Sequence, residues 1–254
     1  LIKGVSDLKD ISKLSQIHFV ATEIYKKRVI QLGETPKSIY NVGSISLENI
    51  FDNIFLNKEK LESKLKIKFE KKSLLITLHP ETLNREAIKK QCKVFLRTLT
   101  SLKNTTLIFT MPNSDINSSQ IETQIKQFCK KQKNAFFFKS LGRKVYFSCI
   151  KIVDAVIGNS SSGIIEVPSL KKPSIDIGKR QYGRVRARSV LSCEFSKSSI
   201  LKSIKTIYSK NFLNKVKNFE NPYYKKNSIK RIIEIINRSK LNGIKGKIFF
   251  DIKF

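Results

Sequence analysis

The apolar residues of this chain follow two rhythms. Short unbroken runs predict buried strands, and stripes at spacings of three and four predict amphipathic helices. The strand-like runs are Ile17–Ala21, Ser38–Val42, Leu74–Leu78, Thr106–Thr110, Ala135–Phe138, Ala155–Ile157, Pro173–Ile177 and a short last one at Ser189–Leu191. Helical patterns lie between them. Thr22 is placed to cap a helix running through Tyr25 and Val29 to Leu32, where Gly33 stops it. Residues 58–70 carry Leu61, Leu65 and Phe69 and read as a solvated surface helix. Ile88, Cys92, Phe95, Leu99 and Leu102 form a regular stripe, Ile121, Ile125 and Phe128 mark another, and residues 143–151 continue the series. Helical runs fill much of 197–238, and the last puts Ile229, Ile232, Ile233 and Ile236 on one face. Strands alternating with helices predict an α/β fold with a doubly wound parallel sheet.

In such a sheet ligands sit beyond the carboxyl ends of the strands. The polar segments expected there are Gly43-Ser44, His79-Pro80, Ser140 to Gly142, Gly158 to Gly163 and Gly178 to Gly183. The fourth is the richest. The stretch DAVIGNSSSGIIEVP, ending at Pro168, reads as a strand, a tight polar loop and a helix start. Unpaired N–H groups and the helix dipole suit a phosphate there. Ser160, Ser161 and Ser162 add hydroxyl donors, Gly163 permits close approach, and Glu166 is placed to accept the hydroxyls of a ribose. The residues point to a nucleoside diphosphate site. The bland alternative is an ordinary strand-to-helix turn with serine caps.

Composition changes this picture little. The chain has 254 residues, is 40% hydrophobic and carries a formal net charge of +30. That charge invites a nucleic-acid reading. The basic residues are mostly lysines spread along the whole chain, so the expectation is attraction of anionic ligands, with no nucleic-acid partner. Four cysteines lack a CxxC pair and only two histidines are present, so no metal site is expected. Free thiols suit a reducing cytoplasm. No run approaches membrane-spanning length and no signal peptide is visible. The chain opens on Leu1 and its single methionine is Met111. The expectation is that part of the gene product precedes it.

HFVATEIYKKRVIQLGE, VGS, LHP, SLGR, IGNSSSGIIEVPS and RQYGR occur in that order. Together they resemble the UDP-N-acetylglucosamine 2-epimerases, and most closely the hydrolysing branch that makes N-acetylmannosamine for sialic-acid-type sugars. The resemblance runs from about His18 to the terminal FFDIKF. It implies a GT-B architecture of two Rossmann-like domains, of which this chain would be the C-terminal, UDP-binding one, with the N-terminal domain missing. On that view residues 1–16 are interdomain remnant, 17–218 the UDP-binding domain, and 219–254 a helix and tail that cross back to the missing domain.

By motif position, the resemblance implies that Ser160 and Ser161 bond the diphosphate while Ser162 and Gly163 shape the helix start. Glu166 would take the ribose hydroxyls and Arg180 would lie near the phosphates. His79 would stabilise the leaving UDP, and Ser140 to Gly142 would line the uracil pocket. The acid–base residues would lie in the missing domain, the fragment alone would be inactive, and the complete enzyme would be a cytoplasmic homo-oligomer needing no cofactor. Arg184, Arg186 and Arg188 read as basic surface. There are departures. Ile45-Ser46 follows VGS, Lys179 stands where an acid precedes Arg-Gln, and the NPY-like motif continues as Tyr224-Lys225-Lys226. The segment before His18 is shorter than the resemblance implies and lacks an Arg-His pair. Glu81, after His79-Pro80, puts a carboxylate near the expected phosphate site.

Three alternatives stay open. A GT-B glycosyltransferase would share the UDP site and leave the sugar's C2 untouched. A basic nucleic-acid-binding module would show salt-sensitive binding. A non-catalytic remnant would bind UDP without turnover.

Overall fold

The computed structural model describes residues 11–48, 50–51, 54–81, 85–111, 118–239 and 247–252. Lys253 and Phe254 of the terminal motif, and the first ten residues of the expected remnant, lie outside them. In chain order the elements are β1 (His18–Val20), α1 (Glu23–Gln31), β2 (Ile39–Asn41), α2 (Lys58–Leu65), β3 (Lys72–Thr77), α3 (Arg85–Leu99), β4 (Thr105–Thr110), α4 (Ser118–Lys131) and β5 (Ala135–Phe138). Then come α5 (Gly142–Ile152), β6 (Ala155–Gly158), α6 (Ser162–Ser169), β7 (Ser174–Ile177), β8 (Val190–Cys193), α7 (Lys197–Ile207), α8 (Lys210–Lys217) and α9 (Ser228–Arg238).

The chain divides into two compact units, one of residues 52–220 and one of residues 1–51 with 221–254. The larger holds a six-stranded, wholly parallel sheet in the order β5-β4-β3-β6-β7-β8. Leu74, Leu75, Ile76, Leu107, Ile108, Phe109 and Ile157 are all buried in its central strands. A parallel sheet covered on both faces needs such continuous apolar runs. The α3 stripe, Ile88, Cys92, Phe95 and Leu99, is buried as its spacing requires, and α3 packs against α4 and α7. The chain builds outward from β3 to β5, then returns to lay β6, β7 and β8 on the other side. The order therefore reverses between β3 and β6, the position where doubly wound sheets open a crevice at their carboxyl ends.

The first two strands depart from expectation. β1 and β2 pair in parallel with each other as a separate two-stranded sheet in the smaller unit. Gly43-Ser44 therefore does not follow a strand of the six-stranded sheet, whereas the other four expected segments do. An apolar run announces a strand but not its partner. The helix expected over 58–70 is shorter as well. It ends at Leu65 because Lys66 is left-handed (φ 54°) and its N–H closes onto Glu62 and Ser63. Beyond it, Glu62 accepts the Phe69 N–H at 2.8 Å. A side chain that offers the backbone a partner outside the helix ladder competes with helix continuation.

In the smaller unit, Thr22 caps α1 by accepting the Tyr25 N–H at 3.2 Å. Glu34 is buried, and its carboxylate lies 2.9 Å from His18 Nε2, 2.6 Å from Lys247 Nζ and 3.4 Å from Lys13 Nζ. Burial opposes the Glu34 charge, but hydrogen bonds from Lys247 and His18 outweigh it and hold the carboxyl below its ordinary range. The apolar stripe of α9 stays uncovered, with Ile229 45%, Ile233 52% and Ile236 44% exposed.

Candidate functional site

Three loops at the carboxyl end of the six-stranded sheet meet around Asn159, at the reversal between β3 and β6. Asn159 is fully buried. Its Oδ1 accepts the His79 N–H at 2.6 Å, and its Nδ2 donates to the His79 carbonyl at 2.9 Å. One side chain thus replaces a missing rung of ladder and fixes the backbone from which the His79 ring projects. The strand register prepares this contact. Gly158 stands opposite Thr77 at φ +146°, and any Cβ there would collide with the Thr77 carbonyl. Only glycine lets β6 end so close to β3.

The Asn159 carbonyl gathers the third loop. It accepts Gln181 Nε2 at 2.8 Å and Arg180 Nη1 at 3.2 Å. The main chain of that loop is held by Glu81, whose Oε1 accepts the N–H of Lys179 and that of Arg180, the latter at 2.6 Å. His79, the Ser160–Gly163 loop and Arg180 are thereby brought together at adjacent strand ends. Ser140 is not grouped with them. It is exposed and follows β5, three strand spacings from β6, or about 14 Å.

The serines divide their work. Ser161 makes no side-chain cap bond. Ser160 takes that role instead: its Oγ accepts the Ser162 N–H at 3.4 Å and its carbonyl accepts the Gly163 N–H at 3.2 Å. These bonds are long, so an anion able to make shorter ones can replace them. Ser162 Oγ accepts the Tyr146 hydroxyl at 2.8 Å, which leaves the Ser162 proton available to donate. Burial pushes the Tyr146 hydroxyl up to about 12, so it remains a donor at neutral pH. Gly163 is needed for packing, since a Cβ would stand 2.7 Å from Ser174 Oγ. Glu166 lies one turn along α6, and its buried Oε2 has no hydrogen-bond partner among the described residues.

Arg186 is not simple basic surface. Its Nη2 donates at 2.8 Å to buried Asp176 and at 3.1 Å to the Gln181 carbonyl. Burial raises Asp176 above the ordinary carboxyl range, and Arg186 only partly offsets this. Arg184 and Arg188 are exposed. Beneath the loops, Thr77, Gly158, Ser160, Gly163, Ser174 and Asp176 line a cavity of about 10 Å³, room for roughly one water. The roles of Asn159, Tyr146, Gln181 and Glu81 were not read from sequence. The Asn159 capacity for a backbone bracket was the one available signal. Glu81 and Arg180 are 99 residues apart, and no local pattern joins them. Among the described residues no group of side chains could hold a metal, and no helix is long and apolar enough to cross a membrane.

A family model described as UDP-N-acetylglucosamine 2-epimerase matches residues 9–237. A Campylobacter jejuni protein named GDP/UDP-N,N'-diacetylbacillosamine 2-epimerase (hydrolyzing) is 46% identical over 187 residues, covering 73% of this chain and 49% of its own length. The Escherichia coli polysialic acid biosynthesis protein P7 is 39% identical over 246 residues, 95% of this chain and 62% of its own. The chain thus spans about half to three fifths of the length of these relatives. The S. aureus MnaA-UDP co-structure matches with a TM-score of 0.72 at 17% identity, over 95% of this chain and 65% of that one. UDP-GlcNAc 2-epimerase from Neisseria meningitidis, bound to UDP-GlcNAc, matches with a TM-score of 0.66 at 20% identity, over 90% of this chain and 62% of that one. At such identities the structural likeness carries the fold: an α/β chain with a parallel sheet. The sequence match over most of the chain carries more, and by it this chain belongs to the UDP-N-acetylglucosamine 2-epimerase family.

Proposed function

We propose that the six-stranded unit is the UDP-gripping part of a hydrolysing 2-epimerase acting on a UDP-linked 2-acetamido sugar. UDP-N-acetylglucosamine and its diacetamido variants are the substrate class. The observation that carries this is the Asn159 bracket. It ties His79, the serine start of α6 and Arg180 into one cluster at the point where the strand order reverses. That cluster offers hydroxyl and guanidinium donors to a diphosphate. The unpartnered Glu166 Oε2 supports a role in accepting ribose hydroxyls, since buried polar atoms normally find partners.

In the proposed reaction a base removes the C2 proton. The C1–oxygen bond breaks, UDP leaves with the electron pair, and a glycal remains. Water adds its hydroxyl to C1 and a proton arrives at C2 from the opposite face. The products are the free 2-epimeric sugar and UDP, and the step balances without a redox cofactor. The C2 proton is weakly acidic, so the rate depends on stabilising charge on the departing diphosphate. Ser160, Ser161, Arg180 and His79 are assigned that role, with Ser162 and Gly163 shaping the loop. The acid–base groups that act on the sugar are assigned to a further domain. The uncovered stripe on α9 is the surface we assign to meeting it. The complete enzyme is proposed to be a homo-oligomer with no nucleic-acid partner.

The test is incubation of the complete gene product with UDP-N-acetylglucosamine, and with a diacetamido UDP-sugar, in D₂O. Deuterium at C2 of the released sugar, with stoichiometric UDP, is expected for at least one. UDP release without deuterium at C2, or no reaction with either, sinks the proposal.

A further inference from the structure

A carboxylate beside a phosphate site should repel the ligand, and by sequence Glu81 is that carboxylate. Its bonds give it a different part. Glu81 follows β3, and the Gly178–Arg180 loop follows β7, with β6 between them in the sheet. Glu81 Oε1 reaches across that gap to the backbone N–H groups of Lys179 and Arg180, and Oε2 lies 3.4 Å from Gln91 Nε2. Gly178, at φ +81°, makes the reach possible, because a Cβ there would collide with the Glu81 carboxylate. The negative charge is directed at two main-chain donors of its own chain. Charge-assisted bonds of this kind are about twice as strong as neutral ones.

We infer that Glu81 is a positioning residue: it clasps the loop after β7 so that Arg180 is presented to the diphosphate. This rests on the UDP-binding reading above. The Arg180 main chain is held by Glu81 and its guanidinium by the Asn159 carbonyl. Fixing both ends leaves little rotamer entropy to lose on binding, which is where pre-organisation adds affinity. The clasp and the Asn159 bracket together lock three strand-end loops, so the site is held by two polar bridges that span three neighbouring strands.

The test uses this chain and the variants Glu81→Ala, Glu81→Gln and Glu81→Asp, with and without Arg180→Ala. Two quantities are read: UDP affinity by calorimetry, and hydrogen exchange of the Lys179 and Arg180 amides. Glu81→Ala is expected to speed exchange at those two amides about tenfold or more, with β3 and β6 protection unchanged, and to weaken UDP about tenfold. Glu81→Gln keeps the shape and an acceptor, and should fall between. It also keeps the test sound where alanine disturbs folding. On an Arg180→Ala background, the Glu81→Ala effect on UDP should shrink to within about twofold, because the two act as one unit. Unchanged or tighter UDP binding by Glu81→Ala and Glu81→Gln would overturn the proposal, as would unchanged amide exchange. If the wild-type chain binds no UDP, the functional reading fails instead, and amide exchange alone still decides whether Glu81 holds the loop.

Discussion

The two ends of the six-stranded sheet use polar side chains in opposite ways. At the amino end, Asp154 Oδ2 accepts the Ser73 N–H at 2.8 Å and the Tyr208 hydroxyl at 3.2 Å. Thr106 Oγ1 accepts the Glu70 N–H at 2.8 Å, Asn134 Nδ2 donates to the Thr105 carbonyl at 2.7 Å, and the Lys72 ammonium sits 4.8 Å from the Tyr208 ring centroid. These groups tie strand starts to neighbouring turns. At the carboxyl end, Asn159 and Glu81 also clasp backbone, but Glu166 Oε2, Asp176 Oδ1 and Gln181 Oε1 are buried without partners among the described residues. Ser189 Oγ, just before β8, is one open atom near the other end. One rim closes the sheet. The other holds its backbone rigid and keeps capacity unspent, the pattern of a site that stores polar groups for a ligand.

That contrast can be broken first at Asn159. Asn159→Ala strips the partners from a buried N–H and a buried carbonyl of His79, so a stability loss of about 3 kcal/mol is expected, with UDP binding abolished. Urea unfolding and calorimetry read both. Asp154→Ala should separate the two rims: a loss of about 2 kcal/mol from the amino-end network, with UDP affinity unchanged within about twofold. A matching loss of affinity would mean that the ends are not independent. Arg180→Ala is the mirror case. UDP should bind about 10- to 100-fold more weakly, while the unfolding midpoint barely moves because the Arg180 side chain is only partly buried.

Smaller effects come from pH, with opposite signs in two carboxyls. Glu34 is held below the ordinary value of 4.5. Its stabilisation is present above that value and is lost as pH falls through the depressed folded-state pKa. Glu34→Gln should therefore destabilise at neutral pH, by an amount that shrinks in acid. Burial raises Asp176 above its ordinary 3.8. Its favourable contribution is full below that value and is lost as pH rises through the raised folded-state pKa. Asp176→Asn should remove that falling component from the stability–pH curve. Chemical unfolding between pH 3 and 7 compares the two variants with the wild type.

The sheet of the larger unit was legible because Leu74–Ile76, Leu107–Phe109 and Ala155–Ile157 are unbroken apolar runs within β3, β4 and β6, and α3 repeats its stripe with a strict period. Pairing of β1 with β2 was not, because three-residue strands carry no information about which sheet they join. At the site, GNSSSG announced a loop and helix start by local chemistry. The run of three serines does not say which one bonds the helix start; Ser160 does and Ser161 does not, a choice made by backbone angles that composition does not encode. The sequence places the Glu81 carboxylate near the expected phosphate site but hides its role, because its partners are main-chain donors far along the chain. Ser140, expected on the rim, is there, but the strand order puts it away from the cluster, and order cannot be read from pattern.

The most direct measurement is calorimetric titration of this chain with UDP, run against Arg180→Ala. Saturable one-to-one binding that weakens by about tenfold or more in the variant is the predicted result. No UDP binding by the wild-type chain, or equal binding by both proteins, would contradict the claim that this rim grips the leaving nucleotide.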